Sequence, residues 1–383
     1  MITKQTQKKI MQHCCKLAKN GLGFTAPNPM VGALLADKNG NVVSEGWHHK
    51  YGDIHAEIDA INNAKLNGVS DFSDLNLFVS LEPCNHYGKQ PPCTDAIIKA
   101  GIKNVFVGIE DPNPLVQGKG IAKLKDAGMQ IKIGVAKKDC EKIIADYIYY
   151  VKTGMPYITL KVAQSIDGFI ASNDGNPKYL TSEKSRKEVH FLRSFSAVLV
   201  GINTILADNP MLDNRLLDDN DVIKSAPSKI IILDSNLRTP PNSKIFSVKT
   251  KGNRTIFIAY NEKLDNTFEL KKRKEMLEKK GAILIKSQTK NNKIHLPKLL
   301  SFLAEEHKIS HILVEGGGEI FSSFINSNLC NELIIYIAPI ILGEGVRAFP
   351  NVDKKILNEI LNKYDKNYNM VGTDIVCRFV ANV

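Results

Sequence analysis

Tryptophan occurs once in the 383 residues, and aromatic residues make up only 7% of the chain. They are not interleaved with the basic residues, which argues against a stacking platform for single-stranded nucleic acid. No apolar run reaches the roughly 20 residues needed to cross a bilayer. The longest, LIIYIAPIILG at 333–343, is broken by a proline and reads as a buried strand. No signal-peptide pattern opens the sequence. The seven cysteines, Cys14, Cys15, Cys84, Cys93, Cys140, Cys330 and Cys377, are odd in number and scattered. That usage does not fit a disulfide framework, and a reducing cytoplasm is the expected compartment. Internal repeats and low-complexity segments are also lacking.

What is present is the composition of a globular protein, with 43% hydrophobic and 24% charged residues and a mean hydropathy of −0.16. Net charge is +11. Its densest block, KKRKEMLEKK at 271–280, is interrupted by Glu275, Met276, Leu277 and Glu278, so it reads as an amphipathic surface helix. The remaining meanings of the charge are an anionic small substrate or a solvated surface.

The length predicts about two domains. Residues 4–20 read as a helix, followed by the Gly- and Pro-rich turn GLGFTAPNPMVG. MVGALLADKNGNVVSEGWH places Asn39-Gly40 between two apolar runs, which is a hairpin signal. HAEIDAINNAKLNG has helical spacing, LNLFVSLEP reads as a buried strand, and CTDAIIKAGI as another helix. KNVFVGIEDPNP and QIKIGVA supply further strands, so the first 145 residues predict a three-layer α/β/α domain. After a helix-like stretch at 138–150 the alternation begins again, placing a boundary near 150. The second half has strand candidates at 157–163, 197–201, 229–234, 254–259, 310–314 and 332–337. Its helix candidates lie at 183–194, 265–279 and 318–326.

Chemistry concentrates in HAE at 55–57 and EPCNHYGKQPPC at 82–93. One histidine and two cysteines are the donor set of a catalytic zinc site that keeps a fourth position open. His55, Cys84 and Cys93 supply that set, and Glu57 would shuttle protons without touching the metal. Residues i and i+2 of a regular helix diverge, so His55 must sit at the helix start. The zinc deaminase signature is H-x-E followed by P-C-x-x-C, whereas here eight residues, 85–92, separate the cysteines. His86 within that insert is a rival ligand. The alternative is two structural cysteines beside a helix-capping His-Ala-Glu.

These residues resemble the bifunctional deaminase/reductase family of riboflavin biosynthesis. The resemblance rests on PNPMVG at 27–32, HAE, the long-spaced EPCNHYGKQPPC and EDPNPLVQGKG at 110–120. It continues through LKVAQSIDGFIA at 160–171, YLTS at 179–182, ADNPMLDNR at 207–215, ILDSNLRTP at 232–240 and VEGGGE at 314–319. It implies a cytidine deaminase-like domain over 1–150 and a dihydrofolate reductase-like α/β domain over 151–383. By that resemblance the first domain binds one Zn2+ through His55, Cys84 and Cys93, with Glu57 as catalytic proton shuttle. Asn28, His86, Lys89, Asp111 and Asn113 would meet a small phosphorylated pyrimidine, Lys89 offering the cation a phosphate needs.

In the second half, HILVEGGGEIFSSFI reads as strand, glycine-rich turn and helix. It could be a plain turn or a place where backbone N–H groups approach a dinucleotide phosphate. The resemblance implies NADPH, lined by Ala163, Thr204, Asp208, Ser235 and the turn Gly317, Gly318, Glu319, Ile320, Phe321, Ser322 and Ser323. Arg193, Leu212, Arg215 and Glu315 match substrate positions, and two arginines suit a phosphate. Lys161 is the first candidate for the reductase's catalytic group and Asp208 the second. Where the family often has a serine and a tryptophan, this chain reads Pro177, Lys178 and Tyr179; Tyr179 can still stack. The resemblance also implies a homodimer through the second domain, and no nucleic-acid or membrane partner is expected. The rivals are an RNA-editing deaminase and a binding protein with a closed zinc site.

Overall fold

A computed structural model describes residues 2–173, 179–217, 228–248, 254–264, 267–290 and 292–381. Pro177 and Lys178 lie outside these. The chain divides into two compact units, Met1–Gly154 and Met155–Val383.

The first unit runs α1 (Lys4–Ala18), β1 (Gly32–Ala36), β2 (Val42–Trp47), α2 (Ala56–Leu66), β3 (Asn76–Leu81), α3 (Cys93–Ala100), β4 (Asn104–Ile109), α4 (Lys119–Asp126), β5 (Gln130–Ile133), α5 (Lys137–Ile143) and α6 (Ala145–Thr153). Its sheet has the order β2-β1-β3-β4-β5. The hairpin partners β1 and β2 are antiparallel, as are β1 and β3, whereas β3, β4 and β5 run parallel. Strand β3 is buried at every position. Its side chains alternate between two apolar layers because a strand has period two. Leu77 and Val79 pack with Ala33, Leu35, Val105 and Val107 against Ala60, Ile97 and Leu124. Phe78 and Leu34 turn the other way, toward Met11, Cys14 and Cys140. Helices therefore cover both faces, the three-layer arrangement that the alternation predicts. The stretch read as one helix at 138–150 is two, because Ile144 leaves the helical region between α5 and α6.

The second unit continues with β6 (Tyr157–Ser165), β7 (Phe169–Ala171), α7 (Glu183–Arg193), β8 (Ala197–Gly201), α8 (Ile202–Asp208), β9 (Ser228–Leu233), β10 (Arg254–Asn261), α9 (Phe268–Lys279), β11 (Ala282–Ser287), β12 (Thr289–Lys290), β13 (Lys293–Ile294), α10 (Leu296–His307), β14 (His311–Val314), α11 (Gly318–Asn326), β15 (Glu332–Ala338), β16 (Val346–Arg347), α12 (Lys354–Lys363), β17 (Asp365–Val371) and β18 (Asp374–Val380). Nine strands form one sheet in the order β11-β10-β9-β8-β14-β6-β15-β18-β17. It is parallel from β11 to β15, and β18 is antiparallel to both its neighbours. One face packs Leu160, Leu199, Ile231 and Phe257 on Leu300, Leu303 and Phe324. The other packs Val200, Ile232 and Ile258 on Ile205, Leu237 and Leu277. Leu277 is the single buried anchor of the basic helix α9. Among the described residues, no helix is long and apolar enough to cross a membrane.

The start of α7 is tied to the far edge of this sheet by one buried carboxylate. Asp374, 0% exposed, accepts from Ser182 N–H at 2.8 Å, from the Ser182 hydroxyl at 2.8 Å and from the Ser185 hydroxyl at 2.5 Å. Ser182 also caps α7. Asp374→Ala strands these donors. It is expected to destabilise the second unit by about 1–3 kcal/mol, read as a lower urea midpoint at unchanged slope.

Candidate active site

His55 is the residue just before α2, with an extended backbone (φ −83°, ψ 162°), and Glu57 lies in the first turn. This resolves the i, i+2 difficulty, since only Glu57 is committed to helical geometry. Pro83-Cys84 follows the end of β3, and Cys93 opens α3. Cys93 N–H points to Cys84 Sγ at 3.4 Å, and His55 Nδ1 lies 3.2 Å from Cys93 Sγ and 3.4 Å from Cys84 Sγ. The three donor atoms are all within 4.8 Å of one another, the one such metal-ligating group among the described residues. His86 does not join it. Two sulfurs and one imidazole nitrogen so gathered suit a tetrahedral zinc with one position left open. Cys84 is held as thiolate, pushed down to about 4 by the Cys93 hydrogen bond and, against burial, by His55.

Glu57 is 3% exposed. Burial, together with the Cys84 charge, pushes its carboxyl up to about 7. Around it opens a cavity of about 490 Å³ lined by His55 and Cys84 and by the expected substrate residues Asn28, His86, Lys89, Asp111 and Asn113. Lys89 Nζ stands 4.0 Å above the Tyr51 ring, and Gln90 Nε2 donates to Gly52 O at 2.9 Å. The eight-residue insert between the cysteines is thus clamped onto the turn after β2. Asp111 is raised by burial, accepts from Asn113 N–H at 2.9 Å and meets the Tyr147 hydroxyl at 3.3 Å.

Glu82, Tyr147 and His48 are among the cavity residues that the sequence reading did not single out. Glu82 was part of a motif, yet nothing local shows that its carboxylate accepts four backbone N–H groups, from Asp111, Gly118, Gly120 and Ile121, at 2.9–3.2 Å. Gly120 must be glycine, because a Cβ there would come within 1.9 Å of Pro83 O. Tyr147 belongs to α6, remote in sequence. His48 follows β2 in a run of two histidines, with no spacing to mark it; it is 3% exposed, and burial lowers its basicity.

In the second unit, Glu315 follows β14 and is buried. Arg193 at the end of α7 donates to it twice, at 2.5 and 2.9 Å, and Lys161 Nζ of β6 lies 3.1 Å away. Arg193 also donates to Asp213 O at 2.9 Å. Arg215 pairs with Asp213 and donates to the Tyr179 hydroxyl at 3.3 Å. Leu212 has φ 48° and packs into the core, so its backbone is what it offers a ligand. Ala163 is half-buried on β6, Ser235 half-buried after β9, and Asp208 exposed at the end of α8. Thr204 is brought against the glycine-rich turn, since a Cβ on Gly316 would meet its Oγ1 at 2.9 Å. Gly317 precedes α11 with φ 67°. Within that turn Phe321 is a core residue. The Ser322 hydroxyl bonds back to Gly318 O and that of Ser323 to Glu319 O, and Glu319 pairs with Lys293. Ile320 and Phe321 N–H bond to Gly317 O, while a helix start of this kind offers its remaining orphan N–H groups to an anion.

Burial alone would raise Glu315, but Arg193 and Lys161 hold it down at about 2. A depressed carboxyl contributes stability that is present above its unfolded value, about 4.3, and is lost as pH falls toward 2. Glu315→Gln leaves Arg193 and Lys161, both partly buried, without their charged partner. It is expected to cost about 3–5 kcal/mol at pH 7, with the gap to the parent closing between pH ~4.5 and ~2 in urea titrations.

Two family profiles match the chain: "Cytidine and deoxycytidylate deaminase zinc-binding region" over residues 4–109 and "RibD C-terminal domain" over residues 156–377. "Riboflavin biosynthesis protein RibD" of Aquifex aeolicus is 37% identical over 379 residues, covering 98% of this chain and 99% of that protein. The Bacillus amyloliquefaciens protein of the same name is 39% identical over 334 residues, covering 87% of this chain and 84% of that protein. Among solved structures, Acinetobacter baumannii RibD superposes with a TM-score of 0.84 at 33% identity, covering all of both chains. A Thermotoga maritima protein described as a diaminohydroxyphosphoribosylaminopyrimidine deaminase/5-amino-6-(5-phosphoribosylamino)uracil reductase gives 0.82 at 29% identity, covering 99% of both. With a zinc-suited deaminase centre in one unit, a reductase domain in the other and full-length relatives, the chain belongs to the RibD family, the bifunctional deaminase/reductase enzymes of riboflavin biosynthesis.

Proposed function

We propose that residues 1–150 hydrolyse the exocyclic amine of 2,5-diamino-6-(5-phosphoribosylamino)pyrimidin-4(3H)-one. Residues 151–383 then reduce the ribosyl group of 5-amino-6-(5-phosphoribosylamino)uracil to ribityl with NADPH. The observation that carries the reading is the His55, Cys84 and Cys93 cluster with Glu57 buried beside it in one cavity.

When bound, zinc supplies an activated water and NADPH a hydride. The protein's own part in the first reaction is proton traffic: Glu57, pushed up to about 7, is poised to take a proton and return it to the departing nitrogen near neutral pH. Water enters and ammonia leaves, so atoms balance. Lys89, already at the cavity mouth over Tyr51, offers its ammonium to the phosphate. In the second reaction Arg193 and Arg215 give the phosphate its cations. Lys161, partly buried against Glu315, is favoured over exposed Asp208 as source of the proton that balances the hydride. A cytoplasmic homodimer completes the reading. Its support is the edge strand β17, which exposes Tyr368 and Met370 along unpaired backbone.

The test is ammonia release by zinc-loaded protein with and without NADPH. Ammonia should appear without the cofactor, and NADPH should be consumed only once deaminated product is present. Glu57→Gln is expected to lower ammonia release by at least ~100-fold while zinc stays at one per chain. Full activity in that variant would refute the proton role.

A further inference from the structure

His48 is built into the deaminase cavity with one end of its ring used and the other end free. Its backbone N–H donates to Val31 O at 3.0 Å. Its Nδ1 lies 3.0 Å from Ile54 O. A carbonyl oxygen can only accept, so Nδ1 carries the hydrogen. The ring packs edge-on against His55, with centroids 5.2 Å apart, and lines the cavity together with Glu57 and Asp111. The Nε2 atom is buried and has no hydrogen-bond partner among the described residues.

A buried polar atom left unmatched costs about 1–3 kcal/mol, and such exceptions ask for a reason. Packing does not supply one, because the Ile54 bond already fixes the ring. With the hydrogen on Nδ1, the neutral ring leaves a lone pair on Nε2, which makes that atom an acceptor waiting for a donor. The other polar groups at the cavity wall are three carboxylates, three amides, two histidines, two tyrosines and a lysine. An imidazole locked in one tautomer adds an acceptor without charge. That suits the N–H edge of a neutral heterocycle better than it suits a phosphate.

We propose that His48 is a specificity-determining residue of the deaminase site, its Nε2 accepting a hydrogen bond from an N–H of the bound aminopyrimidine. The assignment rests on the deaminase reading above and deepens it. Sites built to pair a substrate N–H reject analogues lacking it, because the protein acceptor is then stranded.

Asparagine separates the two ends of the ring. In His48→Asn the amide nitrogen keeps a donor where Nδ1 faces Ile54 O, while the acceptor at the Nε2 position is lost. His48→Gln instead restores an acceptor at that depth. With zinc confirmed at one per chain, His48→Asn is expected to raise KM for the aminopyrimidine about tenfold and to weaken binding of the deaminated uracil similarly by calorimetry. His48→Gln should recover most of both. Methylating the pyrimidine N–H groups one at a time should, for one of them, weaken binding to the parent and leave the Asn variant indifferent. Unchanged KM and product affinity in His48→Asn would overturn the proposal. So would zinc loss in step with activity, which would make His48 a support for His55. If the parent releases no ammonia at all, the deaminase reading fails and this assignment falls with it. Ammonia release that His48→Asn leaves intact sinks the assignment alone.

Discussion

A carboxylate buried at the end of a central strand organises each half of this protein. In the first unit it is Glu82, placed directly after β3 and two residues before Cys84. Its two oxygens take four backbone N–H groups from the segment 111–121. A charge taken out of water is tolerable only with such full pairing. The pairing holds the Asp111 and Asn113 wall in fixed relation to a metal ligand. Without Glu82 those four amides would need other partners, and the cavity floor and wall would part company.

Glu315 has the corresponding place after β14 but a different solution. Its partners are two side-chain cations, Arg193 and Lys161, recruited from α7 and β6. Backbone amides make a rigid scaffold, because they cannot leave. Long cationic side chains hold their partner by rotamer and packing, so this pairing is not fixed by the path of the chain. The two centres thus differ in how much of their electrostatics is built into the chain path. The first is preorganised by the backbone, while the second is assembled from side chains.

The clamp between the cysteine insert and the turn after β2 explains the long cysteine spacing. An insert of eight residues would be a floppy connection between ligands if it stood alone. Lys89 over Tyr51 and Gln90 on Gly52 give it a second anchor. The ligand loop thereby becomes part of the cavity wall and puts a cation at its mouth.

Much of the scaffold was legible in the sequence, because its signals are local. The Asn39-Gly40 hairpin, the apolar run of β3 and the period of each helix each fit within about fifteen residues. The candidate metal cluster was visible for the same reason, since HAE and the two cysteines are short local motifs whose donor atoms the structure brings within 4.8 Å of one another. Helices α4, α8, α10 and α12 and strands β7, β11, β12, β13, β16, β17 and β18 were not read. Most of these are short or polar, but α10 carries a helical period, with Leu296, Leu299, Leu300 and Leu303 buried, that was passed over. The sequence by itself determined the α/β class and the two-unit organisation, since residue type and period decide those. It narrowed the candidate metal ligands to His55, Cys84, Cys93 and the rival His86, which the structure leaves outside the cluster. Only the tertiary structure decided that Glu82 meets amides some thirty residues away, that Glu315 gathers Arg193 and Lys161, and that His48 Nε2 is left without a partner. Hydrogen bonds and ion pairs depend on distance in space, and no periodicity along the chain records it.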